Sequence, residues 1–437
     1  MVARRINVRM NDHPVGQLTL SAAGILSFGY AAEWLRSPVS RPISLTMPLS
    51  TRPYAGEDVR QFLQNLLPDN QTVISRIQRE LVVPSAHPFD LLGALGRDCA
   101  GALQFSPAYS DSAVLTEATL LTDADISHFL QEAHTAPLGM TTENGLRFTI
   151  AGAQKKTALF CCRGRWFIPR GASATSHILK LPIGTLPGNP PVDFSLSCEN
   201  EWLCLLASRL YGFSTAAAEL RRFGTETVLI VERFDRQTAD DKISQLRLPT
   251  EDCCQALGVP AVFKYESDGG PGISAIMNLL QYSSRTAADR ETFFKTQILF
   301  WLLQATDGHA KNFSVFLEKG GGFHLTPLYD IMSTAPLTAT GAVSPRRIKM
   351  AMGLLGKNKH YRFFDIEPRH FLSTAAAVGL PMETAKAWLR ELADKTPSVI
   401  EVATRELPPD FPTNVSEPIF TGMTARSEKI RRFLVTQ

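Results

Sequence analysis

The sequence has few of the features that mark exported, metal-bound or membrane-spanning proteins. Its seven cysteines include two adjacent pairs but no Cys-x-x-Cys spacing. An odd number in this arrangement argues against a disulfide framework and against a zinc site. No stretch of about 18 apolar residues occurs, and polar residues soon follow Arg4 and Arg5. We therefore expect a cytoplasmic protein that is neither exported nor inserted in a membrane.

The chain also lacks a strong charge excess, internal repeats and low-complexity segments. Its formal net charge is +3 over 437 residues, which is too small to indicate a nucleic-acid partner by itself. With 44% hydrophobic and 20% charged residues, the composition is that of an ordinary globular protein. A chain of this length exceeds a single ordinary core, so we expect two or three packed units.

Hydrophobic periodicity predicts an α+β fold whose elements change along the chain. Residues 4–50 alternate apolar and polar positions between turns, which indicates antiparallel strands. Residues 58–81 have helical spacing interrupted at Pro68. We predict a small α+β subdomain, a mixed lobe with a sheet and one helix, and an all-helical C-terminal lobe, with the bounds 1–105, 106–250 and 251–437.

The pattern also predicts individual elements in the last two parts. Strands are expected at 146–149, 157–161, 166–169, 178–181 and 227–231. A helix is expected at 194–210 and a surface loop at 184–192. Helical spacing recurs at 272–282, 287–305, 367–378, 381–394, 396–405 and 424–435. In this C-terminal part, only residues 313–329 are predicted to form a hairpin.

The most informative stretch runs from Ala305 to Ser314. It contains Asp307 and, five residues later, Asn312, and Asp330 follows beyond the predicted hairpin. Kinase-type sites use such a set: one Asp accepts or orients the hydroxyl proton, while the Asn and a second Asp bind Mg²⁺. The alternatives are that Asp307 only caps a helix at Gly308 and that Asp330 is a turn residue.

Further motifs make the chain resemble the HipA family. The resemblance rests on residues 307–314 and 325–330 and on five further motifs, which are Asn65–Asp69, Ala151–Gln154, His177–Pro182, Val231–Arg236 and Lys264–Gly270. These motifs occur in the family's order across nearly the whole chain. Members of that family are serine/threonine kinases that act as toxins of bacterial toxin–antitoxin pairs. The resemblance implies a kinase-like, two-lobed fold, a nucleotide-binding middle part, and the use of ATP and Mg²⁺.

The resemblance also assigns roles in the middle part. Lys180 ends an apolar strand, where a lysine is costly unless it is paired. It would hold phosphates and pair with Glu201, with Glu199 as the nearby alternative. The small residues Ala151, Gly152 and Ala153 would form a phosphate-binding loop with Gln154 and Lys156, although such a stretch can also be a plain tight turn.

Thr149 stands where the family usually has a serine whose autophosphorylation silences the enzyme. Threonine can be phosphorylated, but its β-branch favours a strand. By the same resemblance, Glu232 and Phe234 would contact adenine, Tyr329 would close its other face, and His309 and Lys311 would contact phosphate or substrate. Core packing is the alternative for the adenine contacts, and structural roles are equally open for His309 and Lys311.

The resemblance finally implies partners. These are a helix-turn-helix antitoxin, operator DNA through the antitoxin complex, and a protein substrate. The expected substrate is an aminoacyl-tRNA synthetase, with glutamyl-tRNA synthetase as the best candidate. Basic residues cluster at 346–349, 357–362 and 426–432, and Lys357, Lys359 and Arg362 are candidate DNA-phosphate contacts. Two other functions stay open: a small-molecule kinase, and a catalytically weak co-repressor partner of the antitoxin.

Overall fold

The computed structural model describes residues 3–11, 13–106, 118–133, 148–149, 154–169, 173–187, 191–239 and 245–436. The chain forms two compact units, each assembled from separate stretches of sequence. The first contains Met1–Leu181, Arg221–Val262 and Ser314–His324. The second contains Pro182–Leu220, Phe263–Phe313 and Leu325–Gln437. The three-part division at residues 105 and 250 stays a prediction.

The first unit begins with the expected antiparallel sheet. Its spatial order is Tyr54–Ala55, Leu26–Tyr30, His13–Leu20, Arg4–Met10 and Leu103–Ser106. The close pairing needs Gly16, because a Cβ atom there would lie 2.3 Å from the carbonyl oxygen of Gly29. The helices of this region are Ala32–Arg36, Glu57–Asn65, Gln71–Glu80 and Pro88–Leu95. The predicted break at Pro68 is confirmed, because it falls between two of these helices.

A six-stranded sheet follows, in the order Ala218–Phe223, Glu226–Glu232, His177–Lys180, Lys156–Cys162, Arg165–Pro169 and Ala118–Leu121. It confirms the strands predicted from residue 157 to 231. The same unit contains the helices Asp123–Ala133 and Cys253–Ala256 and the hairpin Arg236–Thr238 with Gln245–Arg247. A three-stranded sheet has the order Thr250–Asp252, Ser314–Leu317 and Phe323–Leu325, and it includes the predicted hairpin around 320–322.

A buried ionic cluster holds distant parts of the first unit together. Asp98 accepts from Arg236 Nη2 at 2.9 Å, Arg247 Nε at 2.8 Å and Arg233 Nη1 at 3.3 Å. Asp235 accepts from Arg233 and from the amide of Gly101, the latter at 2.7 Å. These charged side chains are all almost fully buried. Charges removed from water are tolerated only when they are paired in this way.

The cluster fixes the charge of Asp98. Burial alone would raise the pKa of its carboxyl group, but the guanidinium groups of Arg236, Arg247 and Arg233 hold the pKa well below its usual value. Because the pKa is lower in the folded than in the unfolded chain, the carboxylate stabilises the fold above about pH 4. That contribution is lost as the pH falls through the lowered folded pKa.

We expect Asp98→Asn to lower the free energy of unfolding by about 3–5 kcal/mol, because the change leaves buried guanidinium groups without their carboxylate. The measurement is urea unfolding at neutral pH. Asp123→Asn is the matched control: Asp123 pairs with Arg221 at 3.2 Å but its side chain is 68% exposed, so its removal should cost less than about 1 kcal/mol. Equal losses in both variants would contradict the expectation.

The second unit is mostly helical, whereas the C-terminal lobe was predicted to be all-helical. Its helices are Ser197–Tyr211, Ile273–Leu279, Thr286–Leu303, Ala335–Ala339, Pro368–Ala377, Met382–Glu406 and Thr413–Val435. The predicted separation of 381–394 from 396–405 was wrong, because one helix runs through Pro397. Proline has no N–H group for the carbonyl of Ala393. Arg431 Nη2 donates to that carbonyl instead, at 2.5 Å.

The second unit also contains strand pairs that the periodicity did not predict. A hairpin pairs Lys349–Leu355 with Lys359–Arg362, inside the part that was expected to contain only the 313–329 hairpin. Gly184–Leu186 pairs with Val192–Phe194, within the stretch expected to be a loop. The strands Gly184–Leu186 and Val192–Phe194 have three residues each, and backbone pairing of so few residues leaves little trace in a hydrophobic pattern.

Candidate active site

The helix Thr286–Leu303 ends directly before the motif that carries Asp307. Gln304 adopts a left-handed conformation with φ of 56° and ends the helix. Arg426 donates to the carbonyl of Leu302 at 2.9 and 3.0 Å, which satisfies one of the terminal carbonyl groups. This basic residue, part of the predicted 426–432 cluster, therefore has a structural contact. Gly308 is required, because a Cβ atom there would lie 2.2 Å from the ring of Phe300.

The loop after the helix closes on the backbone of Asp307. The Asn312 side chain donates from Nδ2 to the carbonyl oxygen of Asp307 at 2.7 Å, and the amide of His309 donates to the same oxygen at 2.8 Å. The Asp307 carboxylate takes no part in these bonds, and its side chain is 51% exposed. A carboxylate that is outward-facing on a buried loop can meet a substrate hydroxyl. This arrangement favours the catalytic interpretation over simple helix capping.

His309 and Lys311 are buried in this loop. Burial lowers the pKa of His309, although the carboxylate of Asp307 opposes the shift. The Nδ1 atom of His309 is buried with no hydrogen-bond partner in the described part of the chain. Tyr329 donates its hydroxyl to the carbonyl of Lys311 at 2.8 Å. The phosphate, substrate and adenine contacts suggested for these three residues stay predictions.

Asp330 has the left-handed backbone conformation, with φ of 58°. Few non-glycine residues adopt it, and such strain is typically found at functional sites. Backbone hydrogen bonds of Leu328 hold the segment before Asp330 in place. The amide of Leu328 donates to the carbonyl of Ser214 at 2.9 Å, and its carbonyl accepts from the amide of Ala216 at 2.8 Å. Tyr329, the residue before Asp330, donates its hydroxyl to the carbonyl of Lys311 at 2.8 Å. Asp330 therefore follows a residue that contacts the 307–312 loop.

Asn200 connects this site to the helix Ser197–Tyr211. Its amide donates to the carbonyl of Ser333 at 2.8 Å and accepts from the amide of Ser333 at 2.8 Å. The hydroxyl of Ser333 in turn donates to the carbonyl of Leu303 at 2.6 Å. The segment after Asp330 is therefore bound both to this helix and to the end of the helix that leads to Asp307.

The residues fit the proposed Mg²⁺ site. Nδ2 of Asn312 donates a hydrogen bond to the carbonyl of Asp307. The other polar atom of this side chain, Oδ1, is the one that can bind a cation. Asp330 supplies a carboxylate near the same loop, and Mg²⁺ usually needs only one or two protein oxygens besides phosphate and water. Within the described residues, no group of three or more His, Cys, Asp or Glu side chains could hold a metal ion by itself.

The first unit contains the other proposed nucleotide contacts. Lys156 and Lys180 are buried partners on neighbouring strands of the six-stranded sheet, so both side chains lie on one face. Two cationic groups on one face favour anionic partners. Gln154 donates to the carbonyl of Leu181 at 2.8 Å, which attaches the end of the proposed loop to the Lys180 strand. Ala151, Gly152 and Ala153 lie outside the described residues.

Thr149 is fully buried, and its amide donates to the carbonyl of Asp98 at 3.0 Å. Glu232 is exposed at the end of its strand. Phe234 is half-buried and packs edge-to-face on Phe316 at 6.0 Å between ring centroids, which is consistent with the core-packing alternative for that residue. The adenine contacts of Glu232 and Phe234 and the autophosphorylation of Thr149 stay predictions.

The proposed Lys180 partner lies on the helix Ser197–Tyr211 of the second unit. Glu201 is buried there, whereas the alternative Glu199 is half-buried. Burial raises the pKa of Glu199. The Lys180–Glu201 ion pair stays a prediction.

Two residues with direct structural links to the site were not recognised as site residues from sequence. Asn200 lies on the amphipathic helix, where an asparagine looks like an ordinary polar position. Tyr265 lies in the Lys264–Gly270 motif, and its hydroxyl donates to Asp307 Oδ1 at 2.5 Å. The motif itself was the only available signal for Tyr265, because the contact joins residues 42 positions apart.

Comparisons with known proteins show the family to which the chain belongs. Residues 148–400 match the HipA-like C-terminal domain and residues 6–106 match the HipA N-terminal domain. The protein Y4mE of Sinorhizobium fredii, whose name classes it among kinases, is 33% identical over 419 residues, covering 92% of this chain and 95% of that protein. The serine/threonine-protein kinase toxin HipA of Shewanella oneidensis is 26% identical over 342 residues, 75% of each chain.

The fold is also that of a solved structure, the Shewanella oneidensis complex of HipA, HipB and operator DNA. The match has a TM-score of 0.83 at 24% identity and covers 99% of this chain and 98% of that one. The fold is therefore α+β. The matching family domain and the relatives named as kinases show that the chain is a kinase. It belongs to the HipA family of serine/threonine-protein kinase toxins.

We expect Asn200→Ala to lower the free energy of unfolding by about 2–4 kcal/mol, because the buried amide and carbonyl of Ser333 both lose their partners. The control is Asn414→Ala on the exposed face of the helix Thr413–Val435, where we expect a change within about 0.5 kcal/mol. Both are measured by urea unfolding. An Asn200 variant as stable as the control would show that the hydrogen bonds to Ser333 contribute little.

Proposed function

We propose that this chain is the toxin of a toxin–antitoxin pair and transfers the γ-phosphoryl group of ATP to a serine or threonine hydroxyl of a protein. The observation that carries the proposal is the closed loop of Asp307 and Asn312. It buries the amide of Asn312 against the Asp307 backbone and leaves the Asp307 carboxylate accessible. Kinase-type phosphoryl transfer uses a carboxylate that can reach the substrate hydroxyl and an amide that can hold a metal ion.

In the proposed reaction, Asp307 accepts the proton of the attacking hydroxyl. The hydroxyl oxygen forms a bond to the γ-phosphorus, the bond from that phosphorus to the bridging oxygen breaks, and ADP leaves. Asn312 and Asp330 would hold Mg²⁺, which neutralises charge on the phosphates when it is bound. Lys180 and Lys156 would contribute positive charge toward the phosphates.

We extend the proposal to the partners. The expected substrate is an aminoacyl-tRNA synthetase, with glutamyl-tRNA synthetase as the best candidate, and its phosphorylation would stop tRNA charging and growth. A DNA-binding helix-turn-helix antitoxin would neutralise the toxin. The Shewanella oneidensis structure, which contains HipA, HipB and operator DNA, supports this pairing through its shared fold. A cytoplasmic location is part of the proposal, and none of the helices in the described ranges is long and apolar enough to cross a membrane.

The proposed direct contact with DNA phosphates rests on fewer residues than the sequence suggested. Lys357 and Arg362 are exposed on the hairpin of residues 349–362. Lys359 instead pairs with the carboxylate of Glu266 at 2.5 Å. Electrophoretic shifts of the toxin–antitoxin–operator complex that are unchanged by alanine at Lys357 and Arg362 would remove this part of the proposal.

The decisive experiment incubates the purified chain with γ-labelled ATP, Mg²⁺ and glutamyl-tRNA synthetase, and maps phosphate by mass spectrometry. We expect the wild-type chain to label the synthetase, and Asp307→Asn to be slower by about 10²–10⁴-fold, because it removes the proton acceptor. Asp365→Asn is the matched control, because Asp365 is an exposed carboxylate of the same unit outside the site motifs and its change should keep wild-type activity.

Other outcomes would redirect the proposal. Phosphate on Thr149 that is absent from the Asp307 variant would show an active kinase with self-modification retained. Labelling of the synthetase without labelling of Thr149 would show that the threonine has lost that role. Nucleotide binding with no labelling of either protein would favour a co-repressor function, and labelling of a small-molecule alcohol alone would favour a small-molecule kinase.

A further inference from the structure

Residues 264–272, which include the Lys264–Gly270 motif, contact the loop of residues 305–314 at three points. The hydroxyl of Tyr265 donates to Oδ1 of Asp307 at 2.5 Å. The carbonyl of Lys264 accepts from the amide of Ala310 at 3.2 Å. The ring of Tyr265 also packs edge-to-face on His309, with 4.9 Å between the ring centroids. The side chain of Tyr265 thus contacts both the proposed base and His309.

The backbone of this motif is folded around Tyr265. Its carbonyl oxygen accepts from the amides of Asp268 at 3.1 Å and Gly270 at 3.0 Å. The tight path requires glycine, because a Cβ atom on Gly270 would lie 1.7 Å from the carbonyl oxygen of Phe263. A conformation determined by several backbone bonds gives the tyrosine a defined position.

Glu266 anchors the same motif to the hairpin of residues 349–362. Its carboxylate accepts from the amide of Gly353 at 2.6 Å and from Lys359 at 2.5 Å, and the side chain is only 10% exposed. The hydrogen bond from Lys359 raises the pKa of that lysine, which therefore stays charged at neutral pH. Gly272 leaves the space for this carboxylate, since a Cβ atom there would lie 2.0 Å from Oε1 of Glu266.

We propose that Tyr265 is a positioning residue for phosphoryl transfer, which orients the carboxylate of Asp307, and that Glu266 holds Tyr265 in place for this task. The inference rests on the proposed kinase function. The phenol O–H engages Oδ1, so Oδ2 is the atom presented to the substrate hydroxyl. The Asp307 side chain is half-exposed, and without this bond its carboxylate can rotate in solvent. Orientation of a base before the reaction raises the rate of the chemical step.

The test is steady-state phosphorylation of glutamyl-tRNA synthetase with γ-labelled ATP. Tyr265→Phe keeps the ring against His309 and removes only the hydroxyl. We expect kcat to fall about tenfold, the rate equivalent of one lost hydrogen bond, with the KM for ATP and the melting temperature unchanged. Tyr282→Phe is the matched control, because Tyr282 lies in the same unit and is 79% exposed.

A second variant tests the anchor. Glu266→Ala should lower kcat by a factor similar to that of Tyr265→Phe, because it releases the segment that carries the tyrosine. In the double variant we expect no further loss beyond that of Tyr265→Phe, since both changes disable one function. Losses that multiply in the double variant would show that Glu266 does not act through Tyr265.

The outcomes separate this inference from the proposed function. A wild-type chain that labels the synthetase, together with a Tyr265→Phe variant of unchanged kcat, would overturn the positioning role alone. A rise in the KM for ATP with kcat unchanged would also overturn it and would assign Tyr265 to nucleotide binding. A wild-type chain that labels no protein would overturn the proposed function, and the inference would fall with it.

Discussion

The catalytic site depends on one constraint, which is that a buried, largely irregular loop must find a partner for each backbone polar group. Residues 305–314 lie at the end of a helix and are mostly buried, so unpaired amides and carbonyls there would be costly. The side chain of Asn312 donates to the carbonyl of Asp307. The carbonyl of Lys264 accepts from the amide of Ala310, and the hydroxyl of Tyr329 donates to the carbonyl of Lys311. The hydrogen bonds that stabilise the loop therefore also leave the Asp307 carboxylate accessible.

The same reasoning connects the site to the rest of the second unit. Ser333 shares hydrogen bonds with Asn200 on one helix and with Leu303 at the end of another. This fixes the segment behind Asp330, whose strained backbone needs such support. In the first unit, the buried Asp98 cluster has the corresponding role, because it joins the N-terminal region to the strand end that precedes Phe234. In both units, buried polar groups fix the positions of segments that contain proposed site residues.

Elements whose signal is local in the chain were predictable from the sequence. Four strands of the six-stranded sheet and the helices Ser197–Tyr211 and Thr286–Leu303 follow from short patterns, and the spacing of Asp307, Asn312 and Asp330 is equally local. The errors occurred where distant residues compensate for a local defect. Pro397 lies within a continuous helix because Arg431, 34 positions later in the sequence, supplies the missing donor. The 349–362 hairpin was missed because Glu266 and the following helix stabilise it from outside its own pattern.

By itself, the sequence determined the family, the α+β character and the residue types that can do phosphoryl transfer, because motif order and spacing are properties of the chain alone. Only the tertiary structure decided which of those residues share a surface and which are occupied elsewhere. Lys359 looked like a free cation in a basic run, yet it forms an ion pair with Glu266. Tyr265 looked like one residue of a motif, yet its hydroxyl contacts Asp307. Such pairings join residues far apart in sequence, and only folding brings their atoms within hydrogen-bond distance.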